Sequence, residues 1–389
     1  MAKSSKRTKQ PAVERKTKKQ VAMGRKTARQ NRIIWGSVAA LSLVVVGVLA
    51  AGLVIEMVAK PAAPVAVVNG REVHWAEYED LLTYRRYNQH QTIRNVESSL
   101  RELNPADEGS QFLQSFYEQQ LSQLQAQLQV LPQDVLEELI EDRLIEEKAE
   151  EAGLAVTAAD VEQRIMADLR QAVAPPPQMP ITDTAGVPTP TTVPDETLKE
   201  IYDNALQGMG LSDKEFRQIV GRGLLRQEVQ ELLAGQVPTT GLVAHVELIK
   251  TDTEEEAALA KARIDQGEDF AIVAQEVSTD TLSAADGGDL GWVAPGQLAR
   301  RYGQEVDDAA FSAEIGALVL VESGGQHYLI RVLERDENGP LPESVIGEKE
   351  ASALDDWLAE RMSDPAVEIE RLLDVDKIPP DPFATAPGP

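Results

Sequence analysis

The 389-residue chain contains no cysteine and only four histidines. Without cysteine there is no disulfide framework, thiolate zinc site, thiol nucleophile or lipid-modified cysteine. Four scattered histidines give little from which to build a multi-histidine metal site. Acidic residues outnumber basic ones over most of the chain. The 38 basic and 64 acidic residues leave a net charge of -26, and residues 1–32 alone carry +11, so the remainder carries -37. A phosphate backbone has to be neutralised by a basic face, which excludes a nucleic-acid-binding body; the basic tail is too short to reverse this. Neither GxSxG nor HExxH occurs, so the serine-hydrolase and zincin readings have nothing to rest on. The length allows two or three folding units.

One long apolar run is present. From Ile33 to Ile55 there is no charged residue, and at 1.5 Å rise per residue this stretch spans roughly 34 Å, enough to cross a bilayer core of about 30 Å. A cleaved signal peptide has a shorter apolar region behind a shorter basic head, although the small residues of AKPAAPVA leave a cleavage site open. The basic tail predicts a cytoplasmic N-terminus, with everything after Ala59 on the extracytoplasmic side.

Beyond the span, VAVVNGREV alternates apolar and polar residues around Asn69-Gly70, as a hairpin does. From Leu131-Pro132, the segment DVLEELIEDRLIEEKAEEAGL has helical apolar spacing and ends at Gly153. Thr157 with Asp160 reads as a capping box opening a further helix to about Val173. Seven prolines between Pro175 and Pro194 mark a Pro/Thr-rich segment with no means to form a core. Ser212 caps another helix that ends at Gly235. After Thr240 come an alternating strand, two short helices, a Gly-rich loop and a closing strand, which together read as an α/β unit around an antiparallel sheet.

The motifs AHVEL, GEDFAIVAQEVSTD, GGDLGW, APGQL, AAF and GQHYLIRV occur in that order between Leu242 and Asp336. This segment resembles the parvulin family of peptidyl-prolyl isomerases. VVNGREV, the helix ending at Gly153, EFRQIVGRGLLRQEV and the last helix with Trp357 resemble the chaperone region of PrsA- and SurA-type foldases. The resemblance implies an α+β fold: a single N-terminal transmembrane helix, and a mainly helical SurA/PrsA-like chaperone domain interrupted by a parvulin domain whose antiparallel sheet is surrounded by helices. The expected order is a basic cytoplasmic tail (1–32), an anchor (33–58), the first part of the helical domain (60–240) with a disordered Pro/Thr insertion (174–195), the parvulin domain (242–336), a helical segment completing the chaperone domain (337–377), and a disordered tail (378–389).

Rotation about an X-Pro amide faces a barrier of about 18–20 kcal/mol. A catalyst must favour the twisted amide over both planar isomers and needs no metal or cofactor for it. In the parvulin resemblance the polar set is His245 on the first strand, His327 on the last, and an acid in the loop before GGDLG. Counting forward from Ser278-Thr279-Asp280 that acid is Asp280; counting back from GGDLG the position is Thr281. The two histidines can equally be core residues, hydrogen-bonded to each other or to neighbours. The proline pocket implied is Leu298, then Tyr302 or Val306, then Phe311; four inserted residues leave the middle position open. The loop Lys250-Thr251-Asp252-Thr253-Glu254 is mainly acidic, against phosphoserine-proline specificity.

The expected activity is cis/trans isomerisation of X-Pro bonds in exported proteins, with the helical region holding unfolded chains. The alternative is a membrane-tethered holdase whose parvulin domain is inactive. The expected partners are unfolded or nascent proline-containing polypeptides and the membrane; no cofactor, metal or nucleic acid is expected.

Overall fold

The computed structural model describes Val46 and residues 60–103, 108–173 and 193–384. The expected anchor and the Pro/Thr segment lie outside the described residues except at Val46 and residues 193–195. No helix among the described residues is long and apolar enough to cross a membrane.

Strands β1 (Pro64–Val68) and β2 (Arg71–His74) pair antiparallel. Their turn is Asn69-Gly70, with φ of 50° and 80°, the left-handed pair that a tight two-residue hairpin requires. The Asn69 amide also donates to Glu147 at 3.0 Å and accepts from the Glu368 N–H at 3.0 Å, so one turn residue ties three segments together. Next come α1 (Trp75–Glu102) and α2 (Glu108–Ala152), an antiparallel helical pair. The sequence pattern starts a helix at Pro132, but α2 begins at Glu108 and carries Pro132 in its interior. Proline there forfeits a backbone donor. The helix runs on through it against α1, from which Tyr78 donates to the Pro132 carbonyl at 3.1 Å and Gln89 to the Leu124 carbonyl at 2.9 Å.

Helices α3 (Ala158–Ala172), α4 (Asp195–Met209) and α5 (Asp213–Ala234) follow. The Thr157/Asp160 capping box is present, and Ser212 forms another with Glu215. Strands β3 (Thr240–Thr251), β4 (Asp289–Val293), β5 (Leu318–Ser323) and β6 (Gln326–Pro340) make an antiparallel sheet in the order β4-β3-β6-β5. Helices α6 (Glu254–Asp265) and α7 (Phe270–Val277) cover one face. Helices α8 (Ala299–Tyr302) and α9 (Gln304–Ser312) cover the other. Helix α10 (Glu343–Ser363) and β7 (Ile369–Arg371) then return to the first unit, β7 pairing with β1.

The main cores follow this division, and a small cluster of Val243, Ala294, Leu341 and Val345 joins the sheet unit to α10. One gathers Tyr78, Leu139, Ile140, Leu144 and Val229 together with Leu354 and Leu358 from α10. Two others sit on the opposite faces of the four-stranded sheet and draw only on residues between Ala244 and Val332. The ends of the sheet segment lie side by side, Thr240 opposite Pro340, with the Leu341 N–H donating to the Thr239 carbonyl at 2.9 Å.

The tail expected to be disordered (378–389) is described only in part. Residues 378–384 are described, and they lie against α1: Arg86 donates to the carbonyls of Pro379 and Pro380, and Phe383 packs on Tyr87.

Candidate functional site

Alternation along a strand sends successive side chains to opposite faces. On β3, Ala244, Val246 and Leu248 face α8 and α9; on β6, Tyr328, Ile330 and Val332 do the same. Ile249 and Leu329 face α6 and α7. By this alternation His245 and His327 lie on the α6/α7 face, away from α8 and α9.

The expected neighbouring strands are present, β3 beside β6, but the two histidines are not brought together. His327 pairs with Thr251, and His245 pairs with Glu334. Six residues along a strand separate His245 from Thr251, about 20 Å. The reading in which the two imidazoles bond to each other is therefore corrected: His327 lies at one end of the β3/β6 pairing and His245 near its middle. His245 Nε2 is instead 2.8 Å from Asp289 Oδ1, with its ring 5.6 Å from that of Trp292. The same carboxylate oxygen accepts the Gly291 N–H at 2.7 Å. Partial burial works against the Asp289 charge, but the hydrogen bonds from Gly291 and His245 outweigh it and hold the carboxyl below its usual range. His245 thus pins an irregularity where β4 slips its register on β3.

On the other face the loop after α7 carries Asp280, which is only 4 % exposed. Its Oδ2 accepts three hydrogen bonds: from the Ser283 N–H at 3.0 Å, the Ser283 hydroxyl at 2.6 Å and the Tyr302 hydroxyl at 3.1 Å. Its Oδ1 has the Arg301 guanidinium 3.9 Å away. Burial pushes this carboxyl up, yet the Ser283 and Tyr302 donors and the Arg301 charge outweigh it and keep the carboxyl below its ordinary value. Burial, followed by the neighbouring Asp280 charge, pushes the Tyr302 phenol upward. Both effects also raise Tyr328, whose ring meets Tyr302 edge-on at 5.8 Å. The result is a fixed carboxylate beside two neutral phenols.

Gly287 and Gly288 allow this loop to approach the sheet. Gly288 has φ +82°, and a Cβ on it would lie 2.6 Å from the Leu248 carbonyl oxygen. Across the site, buried Asp307 on α9 accepts the Gly296 and Leu298 N–H groups at 2.9 and 3.1 Å, clamping the APGQL loop. Helix α8 lays Tyr302 over the sheet. Leu298, Tyr302 and Val306 are all buried in one cluster, against which Phe311 packs partly exposed. Of Tyr302 and Val306, it is Tyr302 that reaches Asp280.

The structure therefore brings together Asp280, Leu298, Tyr302 and Phe311 around one core and leaves out His245 and His327. Sequence reasoning missed Tyr328, Ser283, Arg301 and Asp307. Tyr328 was available from period-two alternation, since it shares parity with Ile330 and Val332, and Ser283 from its place three residues after Asp280.

Residues 236–336 match the PPIC-type peptidyl-prolyl isomerase domain family. This segment is a parvulin domain. The chain is similar to foldase protein PrsA of a Geobacillus species, 31% identical over 41% of this chain and 62% of that one. It is also 40% identical to foldase protein PrsA of Oceanobacillus iheyensis over 26% of this chain and 32% of that one. Periplasmic chaperone PpiD of Haemophilus ducreyi is 34% identical over 30% of this chain and 18% of that protein. The chain thus spans less than two thirds of the length of each of these relatives. Among solved structures, PrsA of Bacillus cereus aligns at 15% identity over 78% of this chain and 87% of its own, with a TM-score of 0.34. The PpiD parvulin domain from E. coli aligns at 29% identity over 26% of this chain and 93% of its own, with a TM-score of 0.22.

Proposed function

We propose that the protein is a membrane-tethered extracytoplasmic foldase, in which the parvulin domain catalyses X-Pro isomerisation and the helical unit holds unfolded chains. The observation that carries this reading is the buried Asp280 carboxylate, bonded to Tyr302 beside Leu298 and Phe311, within a parvulin domain. In the planar amide, resonance places negative charge on the carbonyl oxygen. A fixed carboxylate near that oxygen disfavours the charge-separated form and so favours the twisted amide, in which conjugation is lost. Ser283 and Tyr302 hold the carboxylate in place, so it need not reorganise during rotation. Leu298, Tyr302 and Phe311 supply an apolar wall for the proline ring. His245 and His327, facing the other layer, act on the sheet's geometry in this reading rather than on substrate.

The helical unit offers a place for a chain: a cleft of about 640 Å³ between α1, α2, α3 and α5, lined by apolar Leu81, Tyr84 and Ile219 and by Arg85, Glu138 and Arg226. The similarity to foldases and to a periplasmic chaperone supports both the holding role and the extracytoplasmic side. Ile33–Ile55 would be the anchor and the basic tail the cytoplasmic end. The division into an interrupted helical domain and an inserted parvulin domain is supported by the separate cores and the adjacent ends of the sheet segment.

A second reading, a non-catalytic holdase, is favoured by the closure of the face: Leu298, Tyr302 and Val306 are almost wholly buried. The full chain in detergent, assayed for isomerisation of an X-Pro peptide and for suppression of aggregation, separates the two. Isomerisation above background, lost on replacing Asp280, supports the enzyme; suppression alone leaves the holdase. Protease added to intact cells should digest the body and spare a fragment holding the tail and anchor.

A further inference from the structure

The last described segment, Ile378-Pro379-Pro380-Asp381-Pro382-Phe383, is held on α1 by contacts of four different kinds. Arg86 is 7 % exposed, and its Nη1 donates to the Pro379 carbonyl at 2.9 Å and to the Pro380 carbonyl at 3.3 Å. His90 Nε2 lies 2.7 Å from Asp381 Oδ2, with both side chains largely buried. Phe383 meets the Tyr87 ring edge-on at 5.5 Å and lies 6.1 Å from His90. Ile378 packs against the main core. The groove has a fixed floor, since Gly208 on α4 stands against Tyr87, where a Cβ would lie 3.3 Å from the Tyr87 hydroxyl.

These features have a common logic. Consecutive prolines have no N–H, so their segment cannot continue a helix or a sheet ladder, while their carbonyls remain free acceptors in an extended, low-entropy conformation. A buried guanidinium that reads two successive carbonyls recognises that backbone without depending on its side chains. The imidazole and the tyrosine ring then add selection for an acid and for an aromatic residue two positions beyond it. Such a groove reads a peptide in the same way whether or not the peptide belongs to the same chain.

We propose that the α1 groove formed by Arg86, Tyr87 and His90 is a peptide-recognition site for extended Pro-Pro-acid-Pro-aromatic segments, occupied in this chain by its own C-terminal strap, which such segments of an unfolded protein displace. This deepens the holding role and is independent of the isomerase reading. Because the strap is tethered, its effective concentration is on the order of millimolar, so it acts as a selective gate that only well-matched or locally concentrated segments open.

The test uses the full chain with 4-fluorophenylalanine at position 383, followed by ¹⁹F NMR while the free peptide IPPDPFA is added. The expected result is a second resonance, that of a released tail, growing with peptide and absent with the control IPPDPAA. A resonance that does not change at several millimolar peptide overturns the proposal and leaves the strap as a fixed part of the fold. A second measurement uses fluorescein-labelled IPPDPFA and the Phe383→Ala full chain, whose helicity is checked by circular dichroism. Apparent affinity should rise about tenfold over the unsubstituted chain and fall back when Arg86→Gln is added. Equal affinity in the unsubstituted, Phe383→Ala and Arg86→Gln chains counts against the site. Loss of isomerase activity with an intact ¹⁹F response would refute the catalytic reading alone.

Discussion

Replacing Asp280 tests the chemistry and the packing of the parvulin face together. As a residue of a polar loop, Asp280 would be expected to contribute little to folding. Its observed environment says otherwise, because Asp280→Ala would remove the acceptor from two Ser283 donors and the Tyr302 hydroxyl at once. A hydrogen bond to a charged group contributes about 1.5–3 kcal/mol, and a buried donor left unpaired costs about 1–3 kcal/mol. The Ser283 hydroxyl can rotate, and the space left by the carboxylate can admit water, so the net loss should be about 3 kcal/mol rather than the sum. Asp280→Asn, which keeps the volume and an amide oxygen, should lose about 1–2 kcal/mol, and Tyr302→Phe about 1 kcal/mol. The double variant should show coupling of about 1 kcal/mol or more. Hydrogen exchange of the β3 and β6 amides against urea reads this unit apart from the helical one. The sign of the pH dependence follows from the depressed folded-state pKa of Asp280. The unfolded carboxyl titrates near about 3.9, so the stabilisation is present above that value and lost as pH falls through the lower folded value. The gap between the unsubstituted chain and Asp280→Asn should therefore narrow below about pH 4. A gap that is the same at pH 3 and pH 7, or an Asp280→Ala chain within 0.5 kcal/mol of the unsubstituted one at pH 7, would refute the reasoning. On the enzyme reading, Asp280→Asn should also lower kcat/KM about tenfold or more.

Four further outcomes are expected. His245→Ala and His327→Ala should each leave isomerase activity within about threefold, with His245→Ala losing about 1 kcal/mol of stability through Asp289; a hundredfold loss of kcat/KM in either, with the fold intact, would put that histidine back at the reacting amide. Gly288→Ala should destabilise the parvulin unit by more than about 2 kcal/mol, because a Cβ there meets the Leu248 carbonyl and the φ is left-handed; urea midpoints measure this. Burial and then the Glu215 charge push Asp80 up to about 7. With the folded value above the unfolded one, its contribution is greatest at low pH and declines as pH rises from about 4 through 7, so Asp80→Asn should flatten that decline and raise the melting temperature at pH 8. Removing residues 242–336 and joining the adjacent ends should leave a helical unit that is folded by circular dichroism and gel filtration; an unfolded product would show that the two units depend on each other.

Much of the local chemistry was legible in the sequence. The Asn69-Gly70 hairpin, the Thr157 and Ser212 caps, the helix stop at Gly153 and the tight loop at Gly287-Gly288 each depend on a few adjacent residues, whose steric and hydrogen-bonding preferences act over one turn. The parvulin motifs were likewise legible, because they run in order along one segment. Tertiary structure decided which residues meet. Whether His245 and His327 touch depends on register and on which face they occupy: the antiparallel pairing sets His327 opposite Thr251, six positions from His245, and strand alternation puts both on the face away from Asp280. Pro132 looked like a helix start because a proline is cheapest there, but the helix runs through it in contact with Tyr78 of α1. The tail from Pro379 has the composition of a disordered segment, and by its local sequence it would be one. What orders it is Arg86, 293 residues earlier in the chain, a partner that no local pattern in the sequence can reveal because folding alone brings it within reach.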